Sequence, residues 1–115
     1  MEKITQDQLK QIIALHRKFL MGTTGGIRAM LKFKDLSGLD FRLADLTNAD
    51  FSGSCLNGAN MSQATFVGTS FFSCDLHKAD LQSSNFNRAD FRGAQIIGAN
   101  LTEADFTHAD FRQGY

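Results

Sequence analysis

From Leu31 to Phe111, every fifth residue is large and apolar, seventeen positions in a row filled by Leu, Phe, Met or Ile. Two residues before each of these centres, from Ala44 through Ala109, all fourteen residues are Ala, Ser, Thr or Cys. One residue before the centre, twelve of the seventeen positions hold Asp or Asn. Gly recurs two residues after it, at Gly38, Gly53, Gly58, Gly68, Gly93 and Gly98. Synchronised tracks over some eighty residues make an internal repeat of five the dominant feature of the chain.

A period of five fits neither an α-helix at 3.6 nor a plain strand at 2. In a short extended segment, however, the centre and the small residue two before it lie on one side, and their neighbours point the other way. A chain that turns after each such segment buries one large and one small side chain per side. The Gly positions fall where a corner needs a permissive backbone. Four sides close a square coil of about twenty residues, and coils stack about 4.8 Å apart like neighbouring strands. Lys34 and Leu39 stand where a small inward residue belongs, which predicts a wider first coil.

Before the repeat the pattern changes. Thr5 followed by Gln8 has the form of a capping box. Leu9, Ile12, Ile13, His16, Phe19 and Leu20 follow helical spacing, and Gly22 suits a C-terminal stop. These residues predict a helix over 6–21 and a connector from Thr23 to Gly26. A solenoid leaves its terminal coil open, with apolar centres and unpaired strand edges exposed. The helix is therefore expected to cap that end, with a partner-binding or membrane-surface helix as the rival reading. The expected division is 1–28 for the capping helix and connector and 29–115 for the repeat.

The units Ala-Asp-Leu-Thr-Asn, Ala-Asn-Met-Ser-Gln, Ala-Asp-Leu-Gln-Ser, Ala-Asn-Leu-Thr-Glu and Ala-Asp-Phe-Thr-His resemble those of the pentapeptide repeat family. The resemblance implies an all-β solenoid, a right-handed quadrilateral parallel β-helix, here of about four coils with an N-terminal α-helical cap. Some members of that family are thought to imitate duplex DNA and bind DNA gyrase, so the alternative function is a nucleic-acid-mimicking inhibitor of DNA gyrase or of a nucleic-acid-binding host or defence complex.

Charge weighs against mimicry. Twelve basic residues balance twelve acidic ones, and from Leu31 onward ten acids face seven bases. Duplex DNA carries one charge per about 1.7 Å, so a rod about 20 Å long would need roughly twelve net negatives. The acidic surface on offer is Asp35, Asp40, Asp45, Asp50, Asp75, Asp80, Asp90, Asp105 and Asp110. Three of these have an arginine two residues on, in Asp40–Arg42, Asp90–Arg92 and Asp110–Arg112, on the same outer side of a strand. Most of the Asp and Asn residues are expected to support the turns and solubility.

A filled interior leaves no sheltered place for convergent catalytic groups, so no enzyme and no cofactor are expected. His77 and His108 lie on different faces without ligand-like spacing, and no metal is expected. Cys55 should point outward and Cys74 inward over Ser54, which predicts two free thiols. No apolar stretch is long enough to span a bilayer, and residues 1–10 lack a signal-peptide hydrophobic region. The expectation is a cytoplasmic protein with no membrane partner and no direct nucleic-acid contact. What remains is a non-catalytic protein-interaction or scaffold module with an unidentified protein partner. Phe72, His77, Arg92 and Ile97 form one candidate patch, where two faces meet. Phe106, Ala109, Phe111 and Tyr115 form the other, an open end suited to homodimerisation about a two-fold axis.

Overall fold

In a computed structural model, residues 1–114 are described. The elements in chain order are β1 (Glu2–Lys3), α1 (Gln6–Leu20) and β2 (Lys34–Asp35), and β1 pairs in parallel with β2. Beyond them there are no long strands among the described residues. Parallel single-residue bridges instead join positions twenty apart, from Met30↔Asp50 to Asp90↔Asp110, in four columns.

Each unit of five repeats one local geometry. The carbonyl of the centre accepts the N–H three residues on, as Phe41 does from Ala44 and Phe86 from Ala89, both at 3.0 Å. The residue two after the centre has positive φ at every corner from Phe33 to His108. Six of these corners are the expected glycines. The other ten carry side chains, among them Leu43, Gln63 and Arg88, in a region that costs about 1–2 kcal/mol per residue without glycine. Hydrogen bonds between coils hold them there. The N–H of Asn48, for example, donates to the carbonyl of Val67 at 2.9 Å.

The inward centres form the core, and Phe51, Phe71 and Phe91 are buried. Rings twenty apart stack: Phe51, Phe71, Phe91 and Phe111 in one column at 4.9–5.3 Å, and Phe66, Phe86 and Phe106 in the next at 5.1–5.2 Å. Across the two columns the rings meet edge to face, as Phe71 and Phe86 do at 5.7 Å.

The small inward slots hold Ala or a residue able to satisfy itself. Thr69 Oγ1 donates to the Leu46 carbonyl (2.8 Å) and Cys74 Sγ to that of Phe51 (2.9 Å), each one coil back. Ser54 and Ser84 go further. Their hydroxyls donate to the carbonyls of Leu31 and Met61 and accept the N–H groups of Lys34 and Ala64, bridging turns whose direct bond is missing. Lys34 does not fill its slot; its Nζ pairs with Glu2 at 2.6 Å, whereas Leu39 is buried.

The helix begins and ends as its residues dictate. Thr5 Oγ1 accepts the Gln8 N–H and Gln8 Oε1 accepts that of Thr5, a complete capping box. Gly22, at φ +68°, follows the Met21 cap, and Thr23 N–H reaches back to the Lys18 carbonyl at 2.9 Å. Gly26 lies so close to the helix end that an added Cβ would stand 2.3 Å from Phe19 N.

Candidate functional site

The outward column before the centres bears most of the acids, and the backbone uses them. In all nine of those aspartates Oδ1 accepts the N–H two residues on, at 2.8–3.1 Å. Asn60, Asn85 and Asn100 do the same. An acceptor at this position closes a side-chain turn at each side of the coil, which explains why Asp and Asn are interchangeable there. Hydrogen bonds from Ser37 and Thr107 hold Asp35 and Asp105 below their ordinary carboxylate range. The Arg112 guanidinium takes Asp110 down to about 2.

Ion pairs neutralise part of this surface. Arg92 meets Asp90 at 2.8 Å and Arg112 meets Asp110 at 2.7 Å. Asp40 differs from the expectation: it accepts the backbone N–H of Arg42, and no side-chain ion pair joins the two among the described residues. Asp40 lies beside the N-terminal segment, where Gln6 engages its backbone.

Of the side patch, Phe72 and Arg92 touch, with the guanidinium carbon 5.2 Å from the ring centroid. His77 is half-buried and its Nδ1 contacts Asp75 Oδ1, while Ile97 is exposed. At the C-terminal end, Phe106 and Ala109 are half-buried and Phe111 is 49% exposed. Leu101 is exposed beside them, although the sequence reading omitted it. Tyr115 lies outside the described residues. Both cysteines are free; Cys74 is buried, which pushes its thiol up to about 12, and Cys55 is half-buried.

The opposite end is organised by residues that periodicity does not reveal. Gln6 uses both ends of its amide on Asp40, Nε2 to the carbonyl (2.9 Å) and Oε1 from the N–H (2.8 Å). His16 is fully buried; its Nδ1 accepts the Ala29 N–H (2.9 Å), so Nε2 carries the proton donated to the Thr47 carbonyl (2.8 Å). Arg28 Nε donates to the Asn48 carbonyl at 2.7 Å, and Ile4 N–H to that of Asp35. Two open cavities flank α1. One, about 260 Å³, is lined by Ile12, Leu15, Ile27 and Met30; the other, about 410 Å³, by Ile13, Arg17, Leu20, Met21, Leu43 and Asp45.

Five-residue sides, twenty-residue register and a stacked aromatic interior define a β-helical repeat protein. The model of pentapeptide repeats (8 copies) matches residues 31–63, 56–88 and 74–113, and the chain belongs to the pentapeptide repeat family. Its fold is accordingly a right-handed β-helix solenoid. A pentapeptide repeat protein from the thylakoid lumen of Arabidopsis thaliana is 38% identical, with TM-score 0.59, over 70% of this chain and 59% of its own. This chain thus spans about three-fifths of that protein. One from Nostoc Pcc 7120 is 27% identical, with TM-score 0.68, over 81% of this chain and 73% of its own. QnrB1, a plasmid-mediated fluoroquinolone resistance protein, is 25% identical over 72% of this chain and 45% of its own, but its TM-score of 0.38 carries no functional argument. No curated protein sequence matches.

Proposed function

We propose that this protein is a non-catalytic interaction or scaffold module whose contacts are made at its two ends. One observation carries the reading. Large hydrophobic residues are exposed only up to Leu43 and from Ile97 onward, among the described residues; the coils between expose none. An apolar surface confined in this way marks docking sites better than scattered exposure does. Between the ends, the stacked rings fill the interior and the outward carboxylates hold the backbone. In this reading about four coils form the rod, residues 1–28 form its cap, and the C-terminal end receives a second copy of the chain. The two free thiols suit a reducing cytoplasm.

Imitation of nucleic acid is the weaker reading. The outward columns interrupt their aspartates with Cys55, Thr65, Ser70 and Gln95, and Arg92 and Arg112 neutralise two more. Such spacing falls short of a phosphate-like stripe.

The test is sedimentation of the full chain across a concentration series, beside Leu101→Glu/Phe111→Glu and Phe72→Glu/Arg92→Glu. Self-association abolished by the first pair and kept by the second supports the end. A wild-type monomer at every concentration removes the second copy from the reading.

A further inference from the structure

Charge is divided unevenly along a chain whose total is neutral. Residues 1–34 hold seven Lys and Arg against two acids, and residues 35–115 hold five against ten. Lys3, Lys32 and Lys34 of the basic segment sit in ion pairs with Asp35, Asp50 and Glu2. Lys10, Arg17 and Lys18 have no carboxylate partner among the described residues and stand exposed on α1. Helical spacing puts Lys18 opposite buried Leu9 and His16, and sets Lys10 and Arg17 about a quarter-turn from them on one flank. Arg28 is exposed nearby.

Around these cations lie Phe19, Met21, Ile27, Met30, Phe33 and Leu43, all exposed. The two cavities run one on each flank of the helix, with Ile27 and Met30 on one rim and Met21 and Leu43 on the other. Unpaired cations thus stand on a helix flanked by two clefts, one apolar and one of mixed polarity with Arg17 and Asp45 in its lining, and α1 itself carries no acid beyond Asp7 in its first turn.

We propose that this end binds the surface of an anionic lipid bilayer. The headgroups would meet Lys10, Arg17, Lys18 and Arg28, and the rim side chains would enter the upper acyl layer. Cations and exposed apolar side chains on both flanks of the helix suit a deformable layer offering many heads and tails, whereas a single peptide would have to cross the helix to fill both clefts. Nucleic acid is disfavoured because four of the six apolar groups are aliphatic and give bases no ring to stack upon. The absence of a spanning helix, which led the sequence reading to expect no membrane partner, does not bear on a peripheral contact. This end lies opposite the one assigned to a second copy, so the two readings stand or fall separately.

The test is co-sedimentation of the full chain with phosphatidylserine–phosphatidylcholine vesicles and with phosphatidylcholine vesicles alone. Binding is expected to the first only and to weaken with added salt. Arg17→Ala/Lys18→Ala should weaken it roughly 25-fold, about fivefold per charge removed. Ile27→Ser/Met30→Ser should weaken it by about tenfold or more, since each loses apolar surface from the acyl layer. Both variants should keep the wild-type melting temperature, because the altered side chains are exposed. No binding to the anionic vesicles, equal binding to both kinds, or binding indifferent to either variant overturns the proposal. So does tight binding of single-stranded oligothymidylate, absent in Arg17→Ala/Lys18→Ala, which would reassign the surface to nucleic acid.

Discussion

Gln6 faces Asp40 as one peptide group faces another, donating to its carbonyl at 2.9 Å and accepting its N–H at 2.8 Å. In later coils the same backbone positions pair with the coil before; the Asp80 N–H, for instance, donates to the Ala59 carbonyl. A side chain thus stands in for an absent strand. His16 does likewise for Ala29 and Thr47, and β1 for the side bearing Asp35. The N-terminal segment closes the edge by hydrogen bonding as well as by covering apolar surface with Leu9.

Replacing His16 with Phe should therefore destabilise the protein despite conserving an aromatic ring. The Ala29 N–H and Thr47 carbonyl lose their partners in a buried place, at a cost of about 2–4 kcal/mol. Gln6→Ala, in a more open setting, should cost about 1 kcal/mol. Urea unfolding of both variants checks the order, and an inverted order contradicts edge capping by hydrogen bonds.

Phe86 contacts the rings of Phe66, Phe71, Phe91 and Phe106. Phe86→Ala should cost about 3–5 kcal/mol through the cavity it opens, and Phe86→Asp should prevent folding by burying an unpaired charge. Asn87→Asp, one residue away and outward, should be nearly neutral. Thermal melts of the three are the measurement; similar losses for Asn87→Asp and Phe86→Ala would deny the inward assignment.

Gly26 and Gly22 are both glycines of the connector, with different reasons. A Cβ on Gly26 meets helix backbone, 2.3 Å from Phe19 N and 2.6 Å from Lys18 C, which no rotamer can relieve. Gly26→Ala should lose at least about 2 kcal/mol and loosen the seat of α1. Gly22→Ala has open space around it and only its φ of +68° against it, so about 1 kcal/mol is expected. Amide exchange along 6–20 will show whether the helix is released in the first variant alone.

Acid should unfold the protein within a defined window. Asp35, Asp90, Asp105 and Asp110 have carboxyls lowered by hydrogen bonds from Ser37, Arg92, Thr107 and Arg112. A depressed folded pKa contributes stability above the ordinary carboxylate value and loses it as pH falls through the folded one. With an ordinary value of 3.8 and Asp110 at about 2, the melting temperature should fall mainly across that interval. It should stay nearly level from about pH 8 to 5 as far as these groups are concerned. Asp110→Asn should keep the turn and flatten the acid limb slightly; an unchanged limb would mean that these bonds do not govern acid stability.

Burial every fifth residue leaves a one-dimensional trace, so the square coil, the Phe columns and the inward Cys74 were legible in the sequence. The helix was legible too, because Thr5, Gln8 and Gly22 signal its ends locally. The patch formed by Phe72 and Arg92 could be placed by counting in twenties. Phe106 and Phe111 were placed among the last centres by the period, while the exposure of Leu101 appears only in the structure. The strand β1 is too short to show alternation.

By itself, then, the sequence determined which side chains face the axis, for that depends on spacing along one repeating unit. Only the tertiary structure decided what lies across the first coil: Gln6 on Asp40, His16 between Ala29 and Thr47, Gly26 against Phe19, and the two clefts that flank the helix. Those pairings join residues seven to thirty-four positions apart with no period relating them. They exist because a helix of one particular length and tilt happens to bring its polar atoms over an unpaired strand edge.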